Sequence, residues 1–574
     1  MKNIKYFEVP KINSIQHLLI NSYEEYGNKI ALEDLIDFPI NKITYYELFE
    51  NVLRFGSSLK KLGLKERDHI ALIGENRVQW GIAYLTAMTF NYVIVPVDKN
   101  LTTNEILNIL HESDSSAIIF SDNFSSMLGE RKSLLKKLKI FISMDLIKEK
   151  DGFFSMVELI NKSVPVDKKE LPDINPDEMA EIIFTSGSLG RAKGVMLSQK
   201  NLASNLMDMT SMIQMLPSDR FFSVLPIHHT YECTCGLLCP LFSGASVHYA
   251  RSLKTIADDM VEVKPTILLA VPLLYDKMFK RITKTISEDK IKSKVVPPLI
   301  KLTTIIRKIG LIDVKKNVFK ELHHKFGGSI RLFIAGGAAP DPLVAKGLRD
   351  FGFNFIQGYG LTETSPILTL NQIDNFKDDA AGLPLKSISL KINNPDNDGV
   401  GEIYAKGPSV MHGYYKNQQL TDEAFEDGWF RTGDVGFIDE SGFLHISGRK
   451  KNVIIANNGK NVFPEEVEDI LNRSPFIMEC LVFGEADEKN DEIIAAQIVI
   501  NAEAFIEYSE NKNIQITDEL VKEIIGQEVV KANKELTSYK RIRKHYIREK
   551  EFEKTTTQKI KRYLISKERE IVKE

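Results

Sequence analysis

The 574-residue sequence has only four cysteines, no apolar run long enough to cross a membrane and almost no net charge. Four cysteines in so long a chain do not form a disulfide framework. The apolar run 267–275 is too short to span a bilayer and contains Pro272. Lys and Arg number 75 against 78 Asp and Glu, a formal charge of -3, so no basic field indicates nucleic-acid binding.

What the sequence does contain is typical of a soluble globular protein. Hydrophobic residues make up 43% and charged residues 27%, which excludes a disordered or collagen-like chain. The opening residues Met1 to Ile4 start no apolar signal segment, so we expect a cytoplasmic, reducing environment. At about 100–200 residues per domain, the length predicts three or four structural units.

Short β-branched runs alternate with helix-like stretches over 67–144 and again after 181. Such alternation predicts parallel sheets covered by helices on both faces. From 382 to 448 short alternating runs separated by Asn, Asp, Pro and Gly predict a β-rich subdomain. We therefore expect an α/β fold, with an N-terminal domain of two α/β layers plus the β-rich subdomain over 1–448 and a small, mobile α+β domain over 449–574. The predicted strands include 69–73, 92–95, 117–120, 140–142, 266–269, 331–334 and 354–356, and the predicted helices include 79–90, 103–112, 464–471 and 517–533.

The segment 184–194, FTSGSLGRAKG, brings hydroxyls, glycines and a lysine into one loop after a strand-like run. Glycines let backbone N–H groups approach phosphate oxygens, and Lys193 adds a point charge. The loop is not a Walker motif, because Ala192 stands where that spacing requires the second glycine. The composition predicts a triphosphate-binding loop, with a plain glycine-rich turn as the alternative. Its candidate contacts are Thr185, Ser186, Gly187, Ser188, Gly190 and Lys193.

This loop resembles the T-S-G-[ST]-[TS]-G-x-P-K-G loop of the adenylate-forming superfamily, which includes acyl-CoA synthetases, peptide-synthetase adenylation domains and luciferases. Leu189 replaces a hydroxyl residue and Ala192 replaces the usual proline. Further segments resemble the family's motifs in the same order along 45–562. Among the members of the family, the sequence most resembles the long-chain fatty acid–CoA ligases. The resemblance implies ATP and Mg²⁺ as cofactors and coenzyme A as co-substrate.

The segment 357–366, QGYGLTETSP, resembles the family's Y-G-x-T-E motif. The resemblance implies that Tyr359 stacks on adenine, Thr362 bonds the α-phosphate region and Glu363 binds the magnesium. A flat aromatic face suits a purine, and a hard oxygen anion suits a hard cation. No third glycine follows at dinucleotide-fingerprint spacing. Further nucleotide contacts are expected from the neighbouring Gln357, Gly358 and Gly360. Two more, Gly337 and Ala338, are expected from a glycine-rich strand end, although a tight turn would explain the composition of that segment equally well.

Three more segments carry polar roles implied by the resemblance. Asp434, at the end of a T-G-D turn, would accept both ribose hydroxyls, because a carboxylate offers two acceptor oxygens. Arg449 would reach ribose or phosphate, and Lys451 takes the hinge position, whereas for its neighbour Lys450 an exposed linker cation is the favoured interpretation. Lys559 falls on the lysine that contacts the carboxylate and the α-phosphate. Lys460 and Gln558 depart from the family's pattern near the thiol tunnel and the catalytic lysine.

The stretch 225–232, LPIHHTYE, looks like a segment of fatty acyl-CoA synthetases, with His229 at the family's histidine near phosphate and the acyl entrance. Three cysteines follow directly. Their C-x-C-x-x-x-C pattern lacks zinc-ligand spacing, so we expect buried cysteines on a helix. The three are Cys233, Cys235 and Cys239.

The segment 280–325 carries 13 Lys and Arg against four Asp and Glu, a local charge of +9, with apolar residues interleaved. A solvated helix face is the favoured interpretation of this pattern, and contact with anionic lipid or with an acidic carrier protein is the alternative hypothesis.

Together these features predict an acid–thiol ligase that activates a medium- or long-chain fatty acid with ATP and transfers the acyl group to CoA. Transfer to an acyl-carrier-protein phosphopantetheine is the second enzyme hypothesis, and a degenerate, non-catalytic nucleotide- or acyl-binding protein is the third. We expect cytoplasmic location, either free or peripheral to the inner face of the membrane. The sequence leaves a monomer and a homodimer equally open.

Overall fold

The computed structural model describes residues 4–186, 192–308, 314–456, 460–487, 492–555, 560–562 and 564. The helices are α1 (Ile15–Tyr26), α2 (Tyr45–Lys61), α3 (Val78–Thr89), α4 (Thr103–Glu112), α5 (Ser125–Arg131), α6 (Met156–Lys162), α7 (Gln199–Met212), α8 (Cys239–Phe242), α9 (Ile256–Val263), α10 (Pro272–Glu288), α11 (Lys292–Lys308), α12 (Lys315–Val318), α13 (Lys320–Lys325), α14 (Pro342–Asp350), α15 (Gln418–Ala424), α16 (Pro464–Leu471), α17 (Ala502–Lys512) and α18 (Asp518–Glu535). The strands are β1 (Ile30–Asp34), β2 (Lys42–Thr44), β3 (His69–Ile73), β4 (Val93–Val97), β5 (Ala117–Phe120), β6 (Ile140–Ser143), β7 (Phe154–Ser155), β8 (Met179–Ser186), β9 (Ala192–Ser198), β10 (Arg220–Ser223), β11 (Ser246–Tyr249), β12 (Ile267–Ala270), β13 (Leu332–Ala335), β14 (Asn354–Gly360), β15 (Ile367–Leu370), β16 (Leu383–Pro384), β17 (Ser389–Asn393), β18 (Gly401–Lys406), β19 (Gly413–Tyr414), β20 (Phe425–Glu426), β21 (Trp429–Ile438), β22 (Leu444–Arg449), β23 (Ile454–Ile455), β24 (Asn461–Val462), β25 (Ile477–Ala486), β26 (Glu492–Ile500) and β27 (Lys544–Arg548).

Two large sheets form the predicted α/β layers. The nine-stranded sheet has the order β16-β15-β14-β13-β12-β10-β11-β1-β2, and the eight-stranded sheet has the order β19-β9-β8-β4-β3-β5-β6-β7. The inner pairs are parallel, whereas β2, β15 and β16 at the edges of the first sheet and β9 and β19 at one edge of the second pair antiparallel. Parallel pairing brings the carboxyl ends of several strands to the same edge, where ligand sites form in such sheets.

Local sequence signals explain several element ends. Thr44 and Thr102 each cap a helix in a reciprocal box with a glutamate three residues later, which starts α2 and α4. The α/β class is confirmed, and the predicted bounds of β3, β5, α4 and α16 agree with the structure.

The chain folds into two compact units. The first comprises 1–390, 405–430 and 440–444, and the second comprises 391–404, 431–439 and 445–574. The first unit holds both large sheets, with α3 buried along its whole length. In the second, α16 and α18 pack with β25 and β26 around their own apolar core, which includes Val467, Ile498 and Ile525. No helix among the described residues is both long and apolar enough to span a membrane.

The basic segment forms α10, α11 and the short helices after them. Ile291 and Ile305 are exposed by 74% and 57%, so apolar side chains stand in solvent among the lysines. Lys315 does not belong to that surface: it is buried, donates to the backbone oxygen of Arg349 at 3.1 Å and lies 3.5 Å from Asp350.

Candidate active site

The predicted phosphate loop lies between two antiparallel strands. β8 pairs with β9 so that Thr185 stands opposite Lys193. The hairpin therefore places a hydroxyl and a cation, one from each end of the loop, at directly opposite positions on neighbouring strands. Gly187, Ser188 and Gly190 lie outside the described residues, and Ser186 is described only as a strand position.

A tyrosine connects Lys193 with the predicted magnesium ligand. The Nζ atom of Lys193 lies 5.2 Å from the centre of the Tyr414 ring, a cation–π distance. The hydroxyl of Tyr414 donates to Oε1 of Glu363 at 2.9 Å. β19 brings Tyr414 here by pairing with β9, where Tyr414 stands opposite Val195. The sequence patterns did not identify Tyr414, because its partners are distant in sequence and no recognised motif surrounds it.

Glu363 lies on a single 3-10 turn, Thr362–Thr364, that follows β14. The backbone N–H of Met411 donates to the backbone oxygen of Glu363 at 2.9 Å, and the hydroxyl of Thr230 donates to that of Thr362 at 3.4 Å. The turn is thus held from two other segments. These two hydrogen bonds fix the backbone position from which the Glu363 side chain extends.

The glycines around Tyr359 are required by packing. A Cβ at Gly360 would lie 1.7 Å from the backbone oxygen of Pro366, so no other residue fits there. Tyr359 itself is half-buried against the core. Gln357 donates from its amide nitrogen to the backbone oxygens of Asp378 and Ala380, and its own backbone oxygen accepts from the backbone N–H of Asn371 at 2.9 Å, so its nucleotide contact stays a prediction.

The glycine-rich segment after β13 exposes Gly337 and Ala338. Gly337 has a φ of +84°, a left-handed conformation that favours glycine. A Cβ at the preceding Gly336 would lie 2.6 Å from the Tyr231 ring, whose hydroxyl donates to the backbone oxygen of Ile334 at 3.2 Å. The segment is therefore a turn held tightly against Tyr231, and its next two residues remain accessible.

The two predicted ribose residues meet within the second unit. Nε of Arg449, at the end of β22, lies 2.8 Å from Oδ1 of Asp434 on β21, and its Nη1 donates to the backbone oxygen of Thr432 at 3.2 Å. Asp434 is 6% exposed, so the ion pair orients a largely buried carboxylate.

The predicted hinge residue Lys451 and its neighbour Lys450 belong to the same unit. Lys451 is exposed on the 3-10 turn Lys450–Asn452. Lys450 is also exposed, but it makes an ion pair with Glu402 at 2.7 Å. Lys559 and Gln558 lie outside the described residues.

A π-helix, Tyr231–Leu238, crosses the first unit next to His229. Such helices are rare and occur frequently at functional sites. Its cysteines are buried and unpaired, as is Cys239 after it, which confirms the interpretation of the sequence. Tyr231, Cys235 and Cys239 line an apolar cavity of about 30 Å³. Its other walls come from α7 and the residues directly after it and from β10, β12, β13, β14 and β15, and they include Met209, Ile213, Phe221, Leu269, Ile334 and Gly358.

Two buried carboxyl groups lie near this helix. Burial raises the pKa of Glu232 to about 8 and that of Glu181 to about 8. The hydroxyl of Tyr84 donates to Glu181 at 3.2 Å. An interaction with the Ser223 side chain favours the ionised form of Glu232, but burial outweighs it. A carboxyl group in such an apolar interior stays mostly protonated near neutral pH.

Comparison with known protein families agrees with these motifs. Residues 20–415 match the model of the AMP-binding enzyme family, and residues 451–570 match that of the AMP-binding enzyme C-terminal domain.

Curated relatives cover nearly the full length. The chain is 28% identical to the long-chain-fatty-acid–[acyl-carrier-protein] ligase AEE15, chloroplastic, of Arabidopsis thaliana, over 89% of this chain and 79% of the relative. It is 26% identical to the long-chain-fatty-acid–CoA ligase FadD15 of Mycobacterium tuberculosis, over 98% of this chain and 96% of the relative.

Solved structures share the fold. The anthranilate CoA ligase AuaEII in complex with anthranoyl-AMP matches with a TM-score of 0.77 at 20% identity, over 99% of this chain and 98% of that chain. ATP-bound MatB from Rhodopseudomonas palustris matches with a TM-score of 0.76 at 23% identity, over 97% and 99%.

Proposed function

The chain belongs to the AMP-binding enzyme family, and on that premise we propose that it is an acid–thiol ligase acting on a medium- or long-chain fatty acid. In the first step the fatty acid carboxylate attacks the α-phosphorus of ATP, giving acyl-AMP and pyrophosphate. In the second step the thiol of CoA attacks the acyl carbon, giving acyl-CoA and AMP. The link from Lys193 through Tyr414 to Glu363 is the observation that carries the proposal.

The chemistry explains why a cation and a carboxylate belong together. A carboxylate is a poor acyl donor, and transfer to AMP supplies a leaving group. Attack on phosphorus adds negative charge to oxygens that are already charged, so the site acts chiefly by placing cations and hydrogen-bond donors. In the proposal Thr185 and Lys193 bind the phosphates, Lys559 joins the carboxylate and α-phosphate, and His229 lies by the phosphates and the acyl entrance.

The donor set fits magnesium. Glu363 offers carboxylate oxygens, the ligand type that Mg²⁺ takes in phosphate sites, and Tyr414 orients that carboxylate. When bound, Mg²⁺ neutralises charge on the phosphate oxygens. Asp434, oriented by Arg449 in the second unit, offers two acceptor oxygens for a ribose diol.

A fatty acid as substrate is supported by two observations. Relatives over most of the chain are ligases of long-chain fatty acids. The cavity beside the π-helix is lined by Met, Ile, Phe, Leu and Cys side chains, which suit an alkyl chain. At about 30 Å³ it would have to widen to admit one, so we propose that it is the entry of the acyl site in a narrow state.

The decisive experiment is ATP–pyrophosphate exchange with a panel of carboxylic acids and Mg²⁺. We expect exchange with acids of medium or long chain and none with short acids or with amino acids. Absence of exchange with every acid, despite ATP binding, would favour a non-catalytic binding protein instead.

Transfer to an acyl carrier protein is the second candidate. The basic surface of α10 and α11 and the name of the Arabidopsis relative favour it. Single-turnover transfer from preformed acyl-AMP, offered CoA or purified holo-carrier protein, separates the two acceptors. We propose CoA as the main acceptor. Transfer to the carrier protein and not to CoA would make the carrier protein the acceptor instead.

We also propose that α10 and α11 contact anionic lipid. Exposed Ile291 and Ile305 stand among lysines, the composition of helices that lie on membrane surfaces. Co-sedimentation with anionic vesicles should fall with added salt and with Ile291→Ser and Ile305→Ser. Equal sedimentation with neutral vesicles would refute the contact. Sedimentation velocity in the same samples would distinguish a monomer from a homodimer.

A further inference from the structure

His228, the neighbour of the predicted catalytic histidine, lies beside the carboxylate of Asp98, the residue that follows β4. Its Nε2 atom lies 3.5 Å from Oδ2 of Asp98, and its ring centre lies 4.1 Å from that of His229. One ligand-type atom from each of the three residues can be chosen so that all lie within 4.8 Å of one another. His228 is 6% exposed, and its Nε2 has no hydrogen-bond partner within the described part of the chain. A water molecule or an ion is a common partner for a buried polar atom of this kind.

The loop that carries the histidines is held in place. Asn76 donates from its amide to the backbone oxygen of Leu225 at 2.6 Å and accepts from the backbone N–H of Ile227 at 3.1 Å. Asp98 comes directly after β4, and β4 runs parallel to β8 with Ile94 level with Glu181. Asp98 therefore follows the end of β4 at the edge where β8 reaches Thr185. Ligands on anchored elements need little reorganisation to bind an ion.

We propose that Asp98, His228 and His229 bind one divalent transition-metal ion, with Zn²⁺ as its probe. Two imidazole nitrogens and one carboxylate oxygen are a ligand set that such ions take, with at least one position left open. Ligands about 2.0–2.1 Å from a tetrahedral ion stand roughly 3.3 Å apart, close to the separation of Asp98 and His228. Mg²⁺ prefers oxygen ligands, so this site is distinct in kind from that of Glu363. The neighbouring cysteines take no part in it.

The test is a Zn²⁺ titration of the full-length, nucleotide-free protein against a chromophoric chelator, with excess Mg²⁺ present. The variants are Asp98→Asn, which keeps the shape of the side chain, and His228→Phe, which keeps a ring against His229. The matched control is His111→Ala, since His111 on α4 is 76% exposed. The wild type and the control should bind one Zn²⁺ per chain, and both site variants should lose about tenfold or more in affinity.

Equal Zn²⁺ affinity in all four proteins, or displacement of Zn²⁺ by Mg²⁺, would overturn the proposal. Thermal melting without metal shows whether His228→Phe is folded, and Asp98→Asn carries the test if it is not. Co²⁺ provides a second measurement: its absorption should report nitrogen and oxygen ligands, whereas a thiolate charge-transfer band would assign the ion to the cysteines instead. None of these measurements uses ATP or a fatty acid, so their outcome is independent of the proposed ligase activity.

Discussion

The two sides of the candidate site in the first unit are built in different ways. On the proposed phosphate side, Thr185, Lys193 and Glu363 come from short motifs, and Tyr414 connects the last two. On the proposed acyl side, the cavity wall takes one or a few residues each from the π-helix, α7 and the residues after it, α8 and five strands. Phosphate binding needs charges and donors at fixed spacing, which a contiguous loop provides. An apolar wall needs only volume and shape, which scattered side chains provide.

The comparison predicts that single changes on the phosphate side cost rate, whereas those on the acyl side change selectivity. The largest effect is expected at Lys559, which the resemblance places at the reacting atoms. Lys559→Ala should reduce ATP–pyrophosphate exchange by about 10²–10³ or more, because a charge-stabilising donor is lost. Thioester formation from preformed acyl-AMP should be largely spared. Lys550→Ala, at an exposed lysine nine positions earlier in the sequence, is the control. Equal loss of both steps would contradict the hypothesis that Lys559 acts only in adenylation. It would also contradict a C-terminal domain that rotates between the two steps.

A smaller effect is expected at Tyr414, which touches Glu363 but no predicted ligand. Tyr414→Phe removes the hydrogen bond that orients the carboxylate, so the Mg²⁺ concentration for half-maximal exchange should rise about tenfold. The adjacent Tyr415 donates to Asp114 at 2.9 Å instead, which makes Tyr415→Phe a matched control. If Tyr414→Phe needs the same Mg²⁺ concentration as the wild type, the proposal that Glu363 binds the metal is contradicted.

The difference between the two sides also decides what the sequence could predict. The α/β class and the bounds of α4 and β5 follow from local signals such as capping boxes and hydrophobic period. The roles of the motifs proposed to bind phosphate rest on resemblance to a family pattern and stay predictions. Tyr414 and Asp98 were missed because strand pairing brings them to partners far away in sequence.

Burial is equally hard to predict from local composition. Lys315 belongs to a run of positive charge in the sequence, yet the fold buries it against Asp350. A charge count treats every lysine of the run alike, because it contains no information on which helix face meets the core.

On the acyl side, Met209 offers a test with a well-matched control. Met209→Ala removes part of the cavity wall. The exchange rate with longer or bulkier acids, relative to that with the acid the wild type prefers, should therefore rise a few-fold. Met212 lies on the same helix and is similarly buried, but it does not line the cavity. Both changes should lower the free energy of unfolding by about 2–5 kcal/mol. If Met212→Ala shifts the chain-length profile equally, the cavity is not the acyl site.

The smallest effect is expected in the pH dependence of stability, and it tests whether the interior beside the cavity is dry. Burial raises the pKa of Glu232 from 4.5 to about 8. Below pH 4.5 the group is protonated in both the native and the unfolded state. Between pH 4.5 and 8 only the unfolded state ionises, so the free energy of unfolding falls as pH rises, by about 1.4 kcal/mol per pH unit.

Glu232→Gln keeps the size of the side chain and cannot ionise, so the loss of melting temperature between pH 5 and pH 8 should be smaller in this variant. Some slope should remain, because burial also raises the pKa of Glu181 to about 8. Glu549→Gln, at an exposed position, should melt like the wild type at both pH values. An unchanged slope in Glu232→Gln would mean that water reaches this carboxyl group in the native state. The wall between the π-helix and the sheet would then be wet, and the contrast between a polar phosphate side and an apolar acyl side would fail.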